Sequence, residues 1–169
     1  LNHNVAPITI SLIKGLLDPI LKETVNYINA PVIARERGIK VVESKSTEIK
    51  DFTNMVSLTV KTSKETSKTA GAAFGKNDPR IVRVNEFSVE IVPEGCMLAV
   101  SNDDQPGVIG NLGTTLGDNH VNIARLHLSR DARAKKALVV LNTDSPVGPD
   151  VLEKLRKLPH VISITPIKM

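Results

Sequence analysis

The stretch from Leu98 to Arg130 reads LAVSNDDQPGVIGNLGTTLGDNHVNIARLHLSR and predicts, in order, a strand, a polar turn, a helix and a second strand. Pro106 suits the first helical position, because its φ is preset and an N–H there has no helical partner. The helix is expected over residues 106–116, where four apolar residues recur at helical spacing: Val108, Ile109, Leu112 and Leu116. The run Gly117-Asp118-Asn119 then ends the helix.

The polar turn before this helix carries groups that complement a free amino acid. Open N–H groups of Gly107, Val108 and Ile109 at the helix start suit a carboxylate. The following strand is expected to return Asn122 towards the turn, so that its side-chain oxygen and the Asp104 carboxylate suit an ammonium. Spacing alone favours a simpler alternative, in which Asp104 only caps the helix and Asn122 only closes a turn.

Residues 95–169 as a whole have the pattern β-α-β-β-α-β. Strands are expected over residues 97–101, 121–130, 137–141 and 161–165, and helices over residues 106–116 and from Pro149 onward. A change of phase near Ile123-Ala124 indicates a β-bulge, and Pro166 fits an edge strand or a strand end. Two βαβ halves with right-handed crossovers predict a ferredoxin-like sheet with both helices on one face.

Two segments of this half, DQPGVIG at 104–110 and LGDNHVNIA at 116–124, resemble the signature of the ACT domain, an amino-acid-sensing module. The resemblance implies effector binding at five positions: Asp104, Gly107, Val108, Ile109 and Asn122. Asn102 would face the same space, where the family often has a larger ring-bearing polar residue, so the choice of effector stays open. ACT domains of this kind pair side by side with the effector between two chains, which implies a homo-oligomer.

The first half of the chain changes from a helical to an extended pattern at Gly38, a predicted helix C-cap. Helical segments are expected from Pro7, over residues 20–29 and over residues 32–34. Extended segments are expected over residues 39–42, 56–62 and 66–74, followed by a turn at 75–79 and a hairpin of 81–84 with 87–92. The linker Pro93-Glu94-Gly95 predicts domains at 1–94 and 95–169.

The segments YINAP at 27–31 and ARERGI at 34–39 resemble the intervening regulatory domain of the D-3-phosphoglycerate dehydrogenases. In the long form of these enzymes that domain directly precedes a C-terminal ACT domain. The predicted fold class is therefore α+β, with an N-terminal mixed α/β regulatory domain before the ferredoxin-like ACT domain. The resemblance implies allosteric feedback inhibition by L-serine or another small amino acid, and NAD as the cofactor of the parent enzyme.

This chain itself is expected to hold no cofactor, metal ion or catalytic residue, since the catalytic and NAD-binding domains of such an enzyme have no counterpart in it. It begins at Leu1 rather than at Met, which is typical of a fragment cut from a longer protein. Arg80 and Arg83 are candidates for a second anion site, although exposed arginines on a strand are usually only solvated. Arg130 belongs to a basic hairpin that is also expected to be solvated.

Composition bounds these interpretations without deciding between them. The chain has 169 residues, 41% hydrophobic and 24% charged, with a net charge of +4, which is typical of globular domains. No apolar run approaches the roughly 18 residues of a membrane span, so no membrane partner is expected. The single cysteine, Cys96, excludes an internal disulfide and fits a cytoplasmic location.

Three other classes of function are weighed against an amino-acid sensor. An RNA-recognition module of the same topology needs aromatic residues on its central strands, and residues 97–100 and 137–141 contain none, so no nucleic-acid partner is expected. The glycines at 107, 110 and 113 lack the spacing of a dinucleotide loop. An iron–sulfur serine dehydratase can also carry an ACT domain, but it needs several cysteines.

Overall fold

The computed structural model describes residues 4–21, 24–46, 54–75, 78–131 and 133–169. The chain divides into two compact units, Leu1–Thr53 and Asn54–Met169. This division lies before the predicted domain boundary at residues 94 and 95, so that boundary does not coincide with a break in packing. The domain assignment itself stays a prediction.

The described residues of the first unit, 4–21 and 24–46, form two helices, α1 (Ala6–Leu17) and α2 (Ala30–Glu36), each with a proline in its first turn. Its buried side chains are those of Leu17, Val25, Ala30 and Ala34. Gly38, with φ of 70°, follows α2 and donates its N–H to the carbonyl of Arg35. The predicted helices that start near Pro7 and stop at Gly38 are therefore confirmed.

Two predictions for this unit are wrong. The predicted helix over residues 20–29 is absent from the described part of that segment, and residues 39–42 form no strand. The oxygen Oδ1 of Asn26 accepts from the N–H groups of Ile28 and Asn29, while Asn29 Oδ1 accepts from the N–H of Asn26. These side-chain bonds satisfy the backbone locally, and such bonds compete with helix formation.

The second unit begins with a four-stranded antiparallel sheet. Its strands are β1 (Met55–Lys61), β2 (Thr66–Ala73), β3 (Pro79–Val84) and β4 (Phe87–Ile91), in spatial order β1-β2-β3-β4. The predicted hairpin is confirmed, and its turn residue Asn85 has φ of 51°. The predicted turn at 75–79 lies partly outside the described residues, while Pro79 already belongs to β3.

A second four-stranded sheet with two helices follows. Its elements are β5 (Cys96–Asp103), α3 (Val108–Asp118), β6 (Ile123–Asp131), β7 (Lys136–Thr143), α4 (Pro149–Arg156) and β8 (Val161–Lys168). The spatial order is β6-β7-β5-β8, with antiparallel pairing between neighbours. The predicted α+β class and ferredoxin-like fold are confirmed. The register slips between Ile123 and Arg125, as the change of phase indicated, and Pro166 lies on the edge strand β8.

The second sheet is buried on both faces of its central strands. On one face, the side chains of α3 and α4 pack against β5 and β7 around Leu98, Leu112, Val139 and Leu155. On the other face, a second apolar cluster joins β4 of the first sheet to β5 and β7: Val89, Ile91, Met97, Leu138 and Val140. Both sheets therefore belong to one packed unit, which explains why the compact unit begins at residue 54.

Candidate functional site

A cleft of about 320 Å³ lies at the end of β5, where the polar turn leads into α3. The turn and the first turn of α3 form one wall, and the hairpin of β6 and β7 forms the other. Five predicted site residues line it: Asn102, Asp104, Gly107, Val108 and Ile109. The structure thus brings together all of the predicted effector residues except Asn122.

Helix α3 begins two residues later than predicted, at Val108 instead of Pro106. Gly107 is the N-cap and has φ of 88°, a conformation that glycine adopts without steric cost and that the helix does not allow. The N–H groups of Val108, Ile109 and Gly110 form the first turn and have no helical acceptor, and no side chain of the described residues caps this end. The helix therefore offers open donors to the cleft.

Asp104 does not cap α3, so the simpler interpretation of this residue is wrong. Its backbone N–H donates to the carbonyl of Lys135 over 2.9 Å, which ties the turn to the β6–β7 hairpin. Its carboxylate oxygen Oδ2 accepts from Nε of Arg130 at 2.8 Å and lies 2.6 Å from Nη2. The hydrogen bond to Asp104, and then the charge of that carboxylate, raise the pKa of the Arg130 guanidinium above its usual range.

Arg130 is the site residue that the sequence interpretation missed, because it was assigned to a solvated hairpin. The register pairs Arg130 with Ala137 and Leu128 with Val139, and Val139 belongs to the core beneath the helices. Arg130 therefore lies on the helix-bearing face of the sheet, at the cleft. The alternation of Leu126, Leu128 and Arg130 after the predicted bulge was the signal that could have found it.

Asn102 lies at the base of the cleft with only 2% of its surface exposed. Its Nδ2 donates to the carbonyl of Asp103 over 2.7 Å, while its Oδ1 has no hydrogen-bond partner among the described residues. Leaving a buried acceptor unpaired costs about 1–3 kcal/mol. A ligand that carries a donor at this depth would remove that cost.

Asn122 lies at the opposite end of the sheet from Asp104 within one chain. Ile123 pairs with Thr143, which pairs with Cys96 at the start of β5, whereas Asp131 pairs with Lys136 beside Asp103. The eight residues of β5 separate the two ends by about 23 Å. The expectation that the strand returns Asn122 to the turn is thus wrong for a single chain, because β6 runs parallel to β5.

The side chain of Asn122 donates from Nδ2 to Oδ2 of Asp144 over 2.7 Å. Asp144 also lines a second cleft, of about 420 Å³, between the β4–β5 linker and the ends of β6 and β7. Polar groups of that second cleft are engaged with one another: Arg125 pairs with Glu94, whose carbonyl accepts from Asn142. The role of Asn122 in effector binding stays a prediction.

The predicted anion-binding pair, Arg80 and Arg83, lies on β3. The register pairs Arg80 with Ala72 and Arg83 with Ala70, so the bulge between them puts both arginines on one face of the first sheet. The Arg80 guanidinium is already bonded to both carboxylate oxygens of Asp78, at 2.8 and 2.9 Å, and to Glu90 at 2.6 Å. An anion would compete with these carboxylates at Arg80, and the second anion site stays a prediction.

Several alternative chemistries find little support in the geometry. Within the described ranges, no group of three His, Cys, Asp or Glu side chains is arranged to hold a metal ion. Gly110 and Gly113 lie inside α3, which does not fit a dinucleotide-binding loop. The sheet face that RNA-recognition modules use for base stacking is covered by β4. No helix among the residues with a described structure is long and apolar enough to cross a membrane.

Comparison with known proteins gives two family matches that follow one another along the chain. The model of the D-3-phosphoglycerate dehydrogenase intervening domain matches residues 1–85, and the ACT domain model matches residues 97–160. Both resemblances drawn from the sequence motifs are confirmed.

Curated relatives extend the similarity over almost the whole chain. The D-3-phosphoglycerate dehydrogenase of Methanocaldococcus jannaschii is 35% identical over 159 residues, which cover 94% of this chain and 30% of the relative. That of Synechocystis sp. is 32% identical over 166 residues, which cover 98% of this chain and 30% of the relative. That of Bacillus subtilis is 31% identical over 157 residues, which cover 93% of this chain and 30% of the relative. The chain therefore spans about 30% of the length of these relatives.

Proposed function

Because the chain belongs to the D-3-phosphoglycerate dehydrogenase family, we propose that it is the C-terminal regulatory part of such an enzyme. In this proposal the cleft at the start of α3 binds a small amino acid, L-serine first, as an allosteric feedback inhibitor. Catalysis and NAD binding belong to the remainder of the parent enzyme, and the glycines of α3 take no part in them. A cytoplasmic location is part of the same proposal and accords with the single free thiol, Cys96.

The observation that carries the proposal is the set of groups around the cleft. The open N–H groups of α3 attract a carboxylate, because they add to the positive end of the helix dipole. The Asp104 carboxylate suits an ammonium, and the unpaired Oδ1 of Asn102 accepts from a ligand donor. A small amino acid with a hydroxyl group carries all three complementary groups.

Pairing of two chains through β6 would reunite Asp104 with Asn122. Strand β6 lies at the edge of its sheet, and it exposes 44% of Leu126 and 41% of Leu128 on the helix-bearing face. Antiparallel pairing of β6 with the same strand of a second copy would bury these side chains. It would also bring the beginning of one β6, with Asn122, beside the end of the other, next to Arg130 and Asp104.

Binding between two copies gives the effector a means of regulation. A ligand that contacts both chains stabilises the relative position of the two domains in which both sets of contacts form. It shifts that equilibrium only by its differential affinity for the two positions, typically about 1–3 kcal/mol. In the parent enzyme this shift would act on turnover or on substrate affinity.

Calorimetric titration of the 169-residue chain with L-serine, glycine and L-alanine tests the proposal. We expect L-serine to bind and Asp104→Asn to weaken its binding at least tenfold, because the substitution removes the charge that faces the ammonium. Asp118→Asn is the matched control, since this aspartate lies at the other end of α3, and it should leave binding unchanged. Absence of binding by every amino acid, or equal binding by Asp104→Asn, would rule out this site.

A further inference from the structure

The ion pair between Asp104 and Arg130 uses only part of each charged group. Both contacts of the guanidinium, from Nε and Nη2, go to the single oxygen Oδ2. Oδ1 of Asp104 and Nη1 of Arg130 have no hydrogen-bond partner in the part of the chain that the structure describes. The Arg130 side chain is 65% exposed, so it can move without unpacking the core, whereas the Asp104 side chain is only 19% exposed.

We propose that the Arg130 side chain, together with the open N–H groups of α3, binds the effector's carboxylate, and that a zwitterion replaces the direct contact between Arg130 and Asp104. In the bound state the ligand carboxylate accepts from the guanidinium and the ligand ammonium donates to Asp104. This inference rests on the proposed function and adds to it a specificity-determining residue outside the motif that carried the family resemblance.

The charge balance of the ion pair makes the site selective for zwitterions. A ligand with only an ammonium takes Asp104 and leaves Arg130 without a counter-ion. A ligand with only a carboxylate binds Arg130 and leaves the Asp104 carboxylate without a counter-ion. Because the Asp104 side chain is about four-fifths buried, its unpaired charge costs free energy. Only a ligand with both charges keeps both protein groups paired. A helix N-terminus acting alone would instead favour any small anion.

The fold holds Arg130 where this exchange is possible. Its pairing with Ala137 places it on the same face as Leu128, which also lines the cleft. Asp104 is fixed from the other side by its N–H bond to the carbonyl of Lys135 at the same hairpin. The two charged groups therefore border one space, beside the open donors of α3.

The test compares three probes that differ in charge: L-serine, ethanolamine, which lacks the carboxylate, and L-glycerate, which lacks the ammonium. The 169-residue chain should bind L-serine at least tenfold more tightly than either analogue. Arg130→Gln should weaken the affinity for L-serine at least tenfold and leave the affinity for ethanolamine unchanged or higher. Arg130→Lys should recover part of the lost affinity for L-serine. Arg125→Gln is the matched control, since Arg125 lies on the same strand and also pairs with a carboxylate, that of Glu94. It should leave the affinity for all three probes unchanged.

The outcomes separate this inference from the proposed function. If L-serine binds and Asp104→Asn weakens it, but Arg130→Gln binds L-serine equally well or better, Arg130 is only a competitor for Asp104 and our inference is overturned. Equal binding of L-glycerate and L-serine would overturn it as well, and would point to the helix N-terminus alone. If no amino acid binds to the unmodified chain, the proposed function fails first and the inference with it.

Discussion

The backbone N–H of Glu90 donates to Nε2 of His127 over 3.3 Å and so joins the last strand of the first sheet to the edge strand of the second. This bond lies beside the apolar cluster in which Val89 and Ile91 cover Met97 and Leu138. Strand β4 precedes the predicted boundary at residue 94, yet it packs as part of the ferredoxin-like half. We therefore expect the two sheets to unfold together.

We first predict that a fragment of residues 54–169 is markedly more stable than a fragment of residues 95–169. Removing β1 to β4 exposes Met97, Leu138 and Val140, which are at most 7% exposed in the chain. Each such side chain contributes about 1.5–3 kcal/mol when it is fully buried. Urea unfolding should show the shorter fragment destabilised by several kcal/mol, with binding of a hydrophobic dye.

The matched control for the shorter fragment carries Leu138→Thr and Val140→Thr, which make its uncovered face polar. This variant should lose dye binding while keeping its helices. Equal stability of the two unmodified fragments would show instead that the boundary at residue 94 separates independent folding units.

Much of the second half of the fold could be predicted from the sequence, because its signals are local. The bulge near Ala124, the helix with Leu112 and Leu116 on one stripe, and the edge position of Pro166 each depend on neighbouring residues only. The motif also identified four residues that line the cleft, and the strand end just before it supplied a fifth, Asn102. Local patterns of this kind require no knowledge of how distant segments pair.

The predictions that failed depend on one of two things. Either side chains compete with the helix for backbone hydrogen bonds, or the direction of a strand decides which end of the sheet a residue reaches. Apolar spacing over residues 20–29 resembled a helix, but the Asn26 and Asn29 side chains satisfy the backbone there. Asn122 follows the helix by only a few residues, yet the helix carries the chain back across the sheet before β6 begins. The alternation along residues 126–130 could have given the sheet face of Arg130. Sequence spacing does not give the position of that strand end beside Asp104.

The core beneath α3 gives a second prediction. Leu116 has no exposed surface and packs between the helix and the sheet, so Leu116→Ala should destabilise the chain by about 2–5 kcal/mol through a lost contact surface and a residual cavity. Ile162→Ala is the control, because this side chain is 49% exposed, and it should cost less than about 1 kcal/mol. Chemical denaturation measures both, and similar costs would contradict the described packing.

A third prediction contrasts two glycines of the same helix region. Gly107 has φ of 88°, so Gly107→Ala should cost about 1–2 kcal/mol of stability although no atom lies within 4 Å of the added Cβ. Gly113 lies inside α3 with equally open surroundings and an ordinary φ, so Gly113→Ala should stabilise by roughly 0.5–1 kcal/mol. Thermal unfolding of the two variants should therefore shift in opposite directions; a shift in the same direction would contradict the assigned helix start.

The ion pair on β3 gives a prediction about pH. Hydrogen bonds from Arg80 hold the pKa of Asp78 below its usual value. A carboxyl group lowered in this way stabilises the fold above its unfolded pKa of about 3.9, and that contribution is lost as pH falls through the folded pKa. In Arg80→Gln, the pKa of Asp78 measured by NMR should rise towards the unfolded value.

Arg83→Gln is the control for this titration, since Arg83 lies on the same face but makes no described contact with Asp78. It should leave the pKa of Asp78 where it is. The difference in stability between Arg80→Gln and the unmodified chain should also shrink at acidic pH. An unchanged Asp78 titration in Arg80→Gln would show that the pair does not persist in solution.

The last prediction concerns the exposed edge strand β6. Leu126 is 44% exposed near the middle of this strand, where a two-fold axis would pass if β6 pairs with its copy. Leu126→Glu would place like charges against each other across that axis, so it should convert a dimer into a monomer in analytical ultracentrifugation. Because Asn122 would then be missing from the cleft of the neighbouring chain, L-serine affinity should fall as well.

Ile162→Glu is the matched control for the edge strand, because Ile162 is similarly exposed, at 49%, on the opposite edge strand β8. It should leave both the sedimentation and the affinity for L-serine unchanged. If Leu126→Glu stays dimeric while Ile162→Glu dissociates, the chains pair through β8 instead. Asn122 of one chain would then not lie beside Asp104 of the other, and the cleft would have to bind its ligand with residues of a single chain.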